Sequence, residues 1–519
     1  MQHAGWPLTG AQEGLWFAQR LDPANPIFLT GQAIVIDGPL DRTRFLAALD
    51  GAMQEADGLA LRFADGPDGP RQWLDETARP RPELVDLRHL ADPDSAWRAA
   101  VDADMATPVD LEAGGLVVQR LFVLSDARHV WYQRIHHLLV DGYGTDLLTR
   151  RVGQLYAGGG EPFGPFSAVL AEAAAYAGSE RASADRRFWL EAFADRPDVA
   201  PMAPGPAVSG HRFHRVVRPL EPALAARLLV RAEAAGVTWP DVLAALVTAY
   251  VQRHAGGPEA ILGVPHMGRF GSAAANVPAM VMNVLPVRFA IDEDQELDAF
   301  LASAARALRQ ARRHGRYRSE QLRRDLGLLG GSRRLHGPLV NVLPFEASLV
   351  LEGLTTELIV LGTGPVDDLT FTFRGDPDRA GLRLELDSNP GLFDLAETEA
   401  HADRLACFLQ NALVAGRLAD VPTLTPAETR HWLVEVNQTT HPVEDTTLTA
   451  LIERQLAADP QVPAVRCGEQ VLDRGALDRQ SARLAGRLAA MGVGPGSVVA
   501  VALPRSLELI EALTAILRA

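Results

Sequence analysis

The sequence predicts a mixed α/β protein of more than one domain. Segments with apolar residues at helical spacing are interleaved with strand-like apolar runs along the chain. At 519 residues it is too long for one hydrophobic core, so two to four domains are expected. Its 47% hydrophobic and 22% charged content reads as an ordinary globular protein.

The elements follow in order. Residues 40–53 carry Phe45, Leu49 and Met53 at helical spacing after Asp41, a helix N-cap. Residues 116–124 and 130–135 read as two strands joined by the turn Ser125-Asp126-Ala127-Arg128. The second strand runs into Ile135-His136-His137-Leu138-Leu139-Val140-Asp141-Gly142. Leu148, Val152 and Leu155 then recur at i, i+4 and i+7, predicting a helix. Gly158-Gly159-Gly160, Pro162 and Pro165 form a break before an alanine-rich helix, and residues 197–210 are rich in proline and glycine. The second half has the same flavour: helical from Leu220, helical over 241–250, a strand over 260–264. Linker composition returns over 425–447. Beyond it we expect a helix over 449–456, strand 464–467, helix 473–491 and strand 498–503.

The two histidines are the most informative feature. Histidine's ordinary pKa, about 6.5, lets it take and return a proton near neutral pH. Strand side chains alternate faces, so only one of the pair can point into a given cavity. Gly142 offers a backbone N–H with no Cβ in a ligand's way. The positive end of the following helix would favour developing negative charge beside it. An isolated histidine pair is more often structural, so the rest of the pattern has to carry the reading.

Other classes are excluded or weakened. The net charge of −15 argues against nucleic acid as the main partner. No apolar run approaches the about 20 residues of a membrane span, and no signal peptide is evident, so a cytoplasmic protein is expected. Cys407 and Cys467 lie far apart and suggest neither a disulfide framework nor a metal site. The sequence contains no lysine, which removes the P-loop, Schiff-base and adenylate-forming active-site chemistries that need one.

The segment His136-His137-Leu138-Leu139-Val140-Asp141-Gly142 resembles the HHxxxDG motif of condensation domains in nonribosomal peptide synthetases. Further stretches resemble that family's landmarks in the right order: residues 7–16 through Gln12 and Trp16, residues 58–63, Gly263-Val264-Pro265 through Arg269, Met282 to Arg288, residues 337–342, and Gly364-Pro365-Val366-Asp367-Asp368-Leu369. The second motif departs from the pattern: Ala60 stands where an arginine is usual, with Arg62 two residues on. The tail over 448–519 resembles the opening of an adenylation domain and stops before that family's core, so this chain is not expected to activate an amino acid and is read as part of a longer synthetase.

The resemblance implies two chloramphenicol-acetyltransferase-like lobes in a V-shaped pseudo-dimer, each a sheet with helices on one side, plus a partial adenylation subdomain. The boundaries are 1–178 for the N-terminal lobe, 179–425 for the C-terminal lobe, 426–447 for the linker and 448–519 for the adenylation fragment. It implies amide-bond formation between a donor acyl thioester and an aminoacyl thioester, both on phosphopantetheine arms of carrier domains. No cofactor is expected on the chain itself. His137 is the expected reactive group, as base or as positioner of the amine, with His136 supporting the loop and Gly142 donating to the oxyanion. Asp141 would pair with an arginine of the other lobe; Arg288 is the best match, ahead of Arg269 and Arg62. Asn341 is a substrate contact or a bridge between lobes.

The chain begins at the condensation motif, so an upstream donor carrier is expected in trans, with a downstream acceptor carrier and the rest of the adenylation domain as further partners. The overall pattern resembles the enterobactin-type synthetases, whose first domain accepts an aryl acid from a separate carrier, so an aryl acid such as 2,3-dihydroxybenzoate or salicylate, in siderophore assembly, is the favoured donor. A fatty-acyl starter, an upstream peptidyl donor, a silent recruitment domain and a coenzyme A acyltransferase are the alternatives. An epimerase is disfavoured by Tyr143-Gly144 after the motif, and the intact histidines exclude heterocyclisation. The arginine-rich stretch from Arg306 to Arg334 is a solvated helix face or a carrier dock, and residues 328–332 mimic a carrier serine site without its spacing.

Overall fold

A computed structural model describes residues 5–199, 201–328, 334–344, 349–378 and 381–519. Most of the carrier-like sequence at 328–332 lies outside the described residues. The chain divides into two units, Met1–Thr429 and Arg430–Ala519.

The strand Leu29–Asp37 shows how the first sheet is built. Its side chains alternate faces. Ile34 and Ile36 join Phe45, Leu49, Leu148 and Val152 beneath the helices Arg42–Glu55 and Gly142–Ala157. Ala33 and Val35 pack on the other face against Trp97 and Val101 of the helix Pro93–Met105. This corrects the expectation of helices on one side only: alternating apolar residues on both faces of the strand call for cover on both. Asp41 caps the Arg42–Glu55 helix, its carboxylate accepting from the Arg44 N–H at 3.0 Å.

Five strands make this sheet, in the order Thr355–Gly362, Leu29–Asp37, Arg128–His136, Val117–Ser125 and Glu83–Asp86. The first of these comes from the second half of the chain and pairs antiparallel with Leu29–Asp37. The second lobe therefore contributes a strand to the first lobe's sheet. A small three-stranded sheet, Trp6–Pro7, Arg71–Leu74 and Leu61–Ala64, lies beside it in sequence.

The second lobe has a six-stranded sheet ordered Asn283–Ala290, Glu259–His266, Leu339–Leu343, Leu369–Asp376, Gly381–Ser388 and His214–Leu220. Its central helix, Trp239–Ala255, is buried without interruption from Asp241 to Val251, as expected of a helix covered all round. The buried Asp241 carboxylate is paired with Arg312 at 2.8 Å. Tyr250 Oη meets His401 Nδ1 at 2.7 Å and joins this helix to Leu395–Ala412. Among the described residues no single helix is long and apolar enough to cross a membrane.

The second unit holds the hairpin Pro463–Cys467 and Gln470–Asp473 and the helices Leu448–Ala458, Arg474–Ala490 and Leu507–Arg518. The strand expected over 498–503 does not form. A strand needs a partner for its backbone, and this run has none among the described residues; Val498 is 99% exposed.

Burial holds seven histidines below their ordinary pKa: His129, His136, His137, His254, His266, His336 and His401. His136 is pushed down to about 3, and His266 and His401 to about 4. Each is neutral in the folded chain and charges more readily when unfolded. The unfolded state then binds more protons below pH 6.5, so stability is full above that value and falls as the pH drops towards 4. Asp146 and Asp368, whose carboxyls burial pushes up, act with the opposite sign but are two groups against seven. Chemical denaturation from about pH 8 to about pH 5 should show stability falling by up to about 1.4 kcal/mol per pH unit for each histidine that must stay neutral. A flat profile over that range would contradict the burial of these rings.

Candidate active site

The strand Arg128–His136 delivers the motif to the end of the first sheet. Residues just ahead of the two neighbouring strands hold both histidines by their backbone. The N–H of His136 donates to Leu116 O at 2.8 Å, and that of His137 to Phe28 O at 2.8 Å. The side chains then diverge.

His136 is fully occupied. Its Nδ1 accepts from the Leu138 N–H at 3.1 Å, which puts the proton on Nε2, and Nε2 donates to Gln19 Oε1 at 3.1 Å. Gln19 is itself fixed, donating to Asp22 O and Asn25 O. A ring with both nitrogens satisfied and its charge disfavoured by burial is a structural support.

His137 is arranged differently. Its Nδ1 lies 2.9 Å from Val140 O, and a carbonyl only accepts, so Nδ1 carries the proton. Nε2 is left with the lone pair. Burial lowers the pKa of the ring, opposed in part by the charge of Asp141. A neutral imidazole with its basic nitrogen left free of the loop's own hydrogen bonds is the form that can accept a proton.

Asp141 organises the loop. It caps the helix Gly142–Ala157, Oδ1 accepting from the Gly144 N–H at 2.9 Å. The same oxygen accepts from Arg269 Nη2 at 2.7 Å, while Oδ2 accepts from the N–H groups of Val281 and Met282, each at 3.1 Å. Asp141 and Arg269 are 2% and 4% exposed. Arg269 also donates to Ala274 O, Val277 O and Ala279 O, and lies over the Tyr143 ring.

Arg269, not Arg288, is thus the partner from the second lobe. Arg288 sits on the edge strand Asn283–Ala290, between the core residues Val287 and Phe289, so it faces away from the core. It is held there by Asp195, Glu259 and Ala192 O. Arg62 is engaged elsewhere too, with Ala113 O and Asp75.

Gly142 opens the helix and is exposed. The N–H groups of a helix's first turn lie outside its own ladder, and a Cβ added at Gly142 would meet nothing within 4 Å. The position is open to a ligand at the positive end of the helix. Asn341 sits on the central strand Leu339–Leu343 opposite Thr372 and makes none of the hydrogen bonds described around the histidine loop. In the arginine-rich stretch, Arg312, Arg316 and Arg334 pair with Asp241, Glu172 and Asp368, so part of that charge is internal bracing.

Sequence reasoning missed two supports. Gln12 and Gln19 both lie on the helix Gly10–Leu21. Gln12 is buried, exchanges hydrogen bonds with Gln72 and reaches Leu138 O at 3.4 Å. Its place in the opening motif was the available signal; Gln19 had none. Among the described residues no cluster of three or more His, Cys, Asp or Glu is placed to hold a metal ion.

Residues 2–432 match the family model described as Condensation domain, and residues 452–519 match that of AMP-binding enzyme. The chain is 36% identical over 99% of its length to a dimodular nonribosomal peptide synthase of Bacillus subtilis (strain 168), and 32% identical over 99% to enterobactin synthase component F of Escherichia coli (strain K12). It spans only 22% and 40% of those proteins. Among solved structures it is similar to the starter condensation domain of rhizomide synthetase RzmA in complex with C8-CoA and Leu-SNAC. That match has a TM-score of 0.74 and 31% identity, covering 81% of this chain and 96% of that one.

The Asp141–Arg269 pair generates a prediction. Asp141→Ala and Arg269→Ala should each cost about 3–5 kcal/mol, because each strands a buried charge. The double variant should cost less than the sum. Arg288→Ala, which removes partly exposed pairs, should cost about 1 kcal/mol or less. Urea denaturation of the four proteins checks all three, and additivity of the first two would refute the pairing.

Proposed function

The chain belongs to the condensation-domain family, and from that premise we propose that it joins two carrier-bound substrates through an amide bond. The observation that carries this reading is the neutral His137 ring with its lone pair on Nε2. The α-amine of the acceptor aminoacyl thioester attacks the donor thioester carbonyl. A C–N bond forms, the C–S bond breaks, and the amine's proton leaves with the thiolate. His137 Nε2 accepts that proton and returns it to sulfur, or holds the amine in line for attack. General-base catalysis is worth typically ~10²–10⁴-fold where it operates, and positioning alone accounts for several kcal/mol. The Gly142 N–H stabilises the tetrahedral oxyanion, a contribution of about 3 kcal/mol for comparable donors. Asn341 contacts a substrate or bridges the lobes.

In this reading residues 1–178 and 179–425 are the two lobes, 426–447 the linker and 448–519 the opening of an adenylation domain. The substrates arrive on phosphopantetheine arms, one from a donor carrier supplied in trans and one from a downstream acceptor carrier, in the cytoplasm. The likeness to enterobactin synthase component F supports an aryl-acid donor in siderophore assembly. A second reading, a fatty-acyl starter, is favoured by the likeness to a starter domain bound to C8-CoA.

An acceptor carrier loaded with an amino acid should gain the mass of one acyl group when mixed with this chain and a donor carrier. Donors bearing 2,3-dihydroxybenzoate, salicylate or octanoate decide between the two readings. A folded His137→Ala variant should lose ~10²–10⁴-fold in rate. Because His137 is held below 6.5, the rate should rise only with deprotonation of the acceptor amine, through about 7.7–8.0, and then level off. No transfer from any donor by a chain that still binds carriers would instead indicate a silent docking domain.

A further inference from the structure

The chain crosses from one lobe to the other directly over His137. Strand Thr355–Gly362 belongs to the first sheet and strand Leu369–Asp376 to the second, so residues 363–368 make the crossing. Gly364 lies in that crossing at φ +100°, a conformation open to glycine and strained for any side chain. A Cβ added there would stand 3.1 Å from His137 Cδ2 and 3.6 Å from His137 Nε2. The edge of the ring facing Gly364 is therefore the one that carries the lone pair.

Both ends of the crossing are pinned to the second lobe. The register shifts between Val360 and Gly362, a bulge that breaks the regular ladder, and Val360 O accepts from Arg215 Nη1 at 2.8 Å. Arg215 also makes a two-pronged pair with the buried Asp387, both contacts at 2.7 Å. Thr363 Oγ1 lies between them, 3.4 Å from Arg215 Nη2 and 3.3 Å from Asp387 Oδ2. At the other end Asn389 holds Asp367 O and Asp368 O, and Arg334 holds the Asp368 carboxylate. Between these anchors Pro365 has a fixed φ and Val366 is buried. The glycine is held in place and has no slack to retreat.

We propose that Gly364 forms the wall of the nucleophile site in front of His137 Nε2, held at its distance by the Arg215–Asp387–Thr363 brace, and that it sets the room available to the attacking amine. This rests on the condensation reading for its substrate, but not for its geometry. Glycine leaves space for an amine on a branched α-carbon. One added methyl group would favour the smallest acceptor. Arg215, Asp387 and Thr363 are positioning residues that act through Gly364.

Two measurements on the full chain test this. The first needs no substrate: deuterium exchange at the imidazole C2 of His137, followed by mass spectrometry, with the exposed His211 as internal reference. Gly364→Ala should slow exchange at His137 several-fold and leave His211 unchanged, while Asp387→Asn and Arg215→Gln should alter His137 exchange by freeing the turn. The second is the ratio of kcat/KM for glycyl-loaded over leucyl-loaded acceptor carriers. In Gly364→Ala it should rise about tenfold or more, the scale of one methyl group in a tight site, whereas general loss of structure would lower both substrates alike. A folded Gly364→Ala protein with unchanged His137 exchange, or with equal loss on both acceptors, overturns the proposal. If Gly364→Ala does not fold, unchanged exchange in both brace variants overturns it. Absence of amide formation by the unsubstituted chain would defeat the condensation reading alone, and the exchange data would still decide the wall.

Discussion

Both oxygens of the Asp141 carboxylate are engaged across the boundary between the lobes, and the geometry around the motif depends on that one side chain. Oδ1 caps the helix Gly142–Ala157 and meets Arg269; Oδ2 takes two backbone N–H groups from the 281–282 segment. A buried ion pair gains little unless its remaining hydrogen-bonding capacity is met. Here the guanidinium finds three carbonyls besides Asp141. The same carboxylate that starts the helix thus fixes where the second lobe sits against it. Capping and lobe docking are one event, which is why this aspartate need not face a substrate to matter for chemistry.

Next to it, two identical side chains have opposite uses. The pleat separates them, and their hydrogen bonds complete the division. His136 spends both nitrogens inside the lobe, on Leu138 and Gln19. His137 spends only Nδ1, on a carbonyl of its own loop. That bond selects the tautomer and leaves Nε2 basic. Burial keeps the ring neutral, so it is ready to accept a proton near neutral pH.

The site is also assembled from segments far apart in the chain. The helix Gly10–Leu21 supplies Gln12 and Gln19, the 269–282 segment supplies the partner of Asp141, and the 363–368 crossing closes over the ring. The exchanged strand Thr355–Gly362 explains why the last of these stays in place. Its ladder to Leu29–Asp37 joins the second lobe to the sheet whose neighbouring strand ends at His136. A shift of one lobe would have to break that ladder or the hydrogen bond from Arg215 of the second lobe to Val360 O on the exchanged strand.

Much of this was legible locally. Asp41 as a cap, the 117–136 hairpin, the helix after Gly142 and the two unlike histidines follow from spacing, turn chemistry and the pleat, which act over a few residues. The family resemblance implied that an arginine should meet Asp141, but spacing could not say which one. Arg269 and Arg288 differ only in where the backbone carries them: one into a cradle of carbonyls at the lobe boundary, the other onto the outer face of an edge strand. The 498–503 run had the composition of a strand but not the neighbour that makes one. Gln19 and the exchanged strand left no local trace, and Gly364 stood in a motif with nothing to place it over His137. The physical reason is range: propensity, capping and periodicity are set by near neighbours in sequence. Which donor meets which acceptor across two lobes is set by packing and by the need to pair every buried polar group, and only the folded chain resolves that.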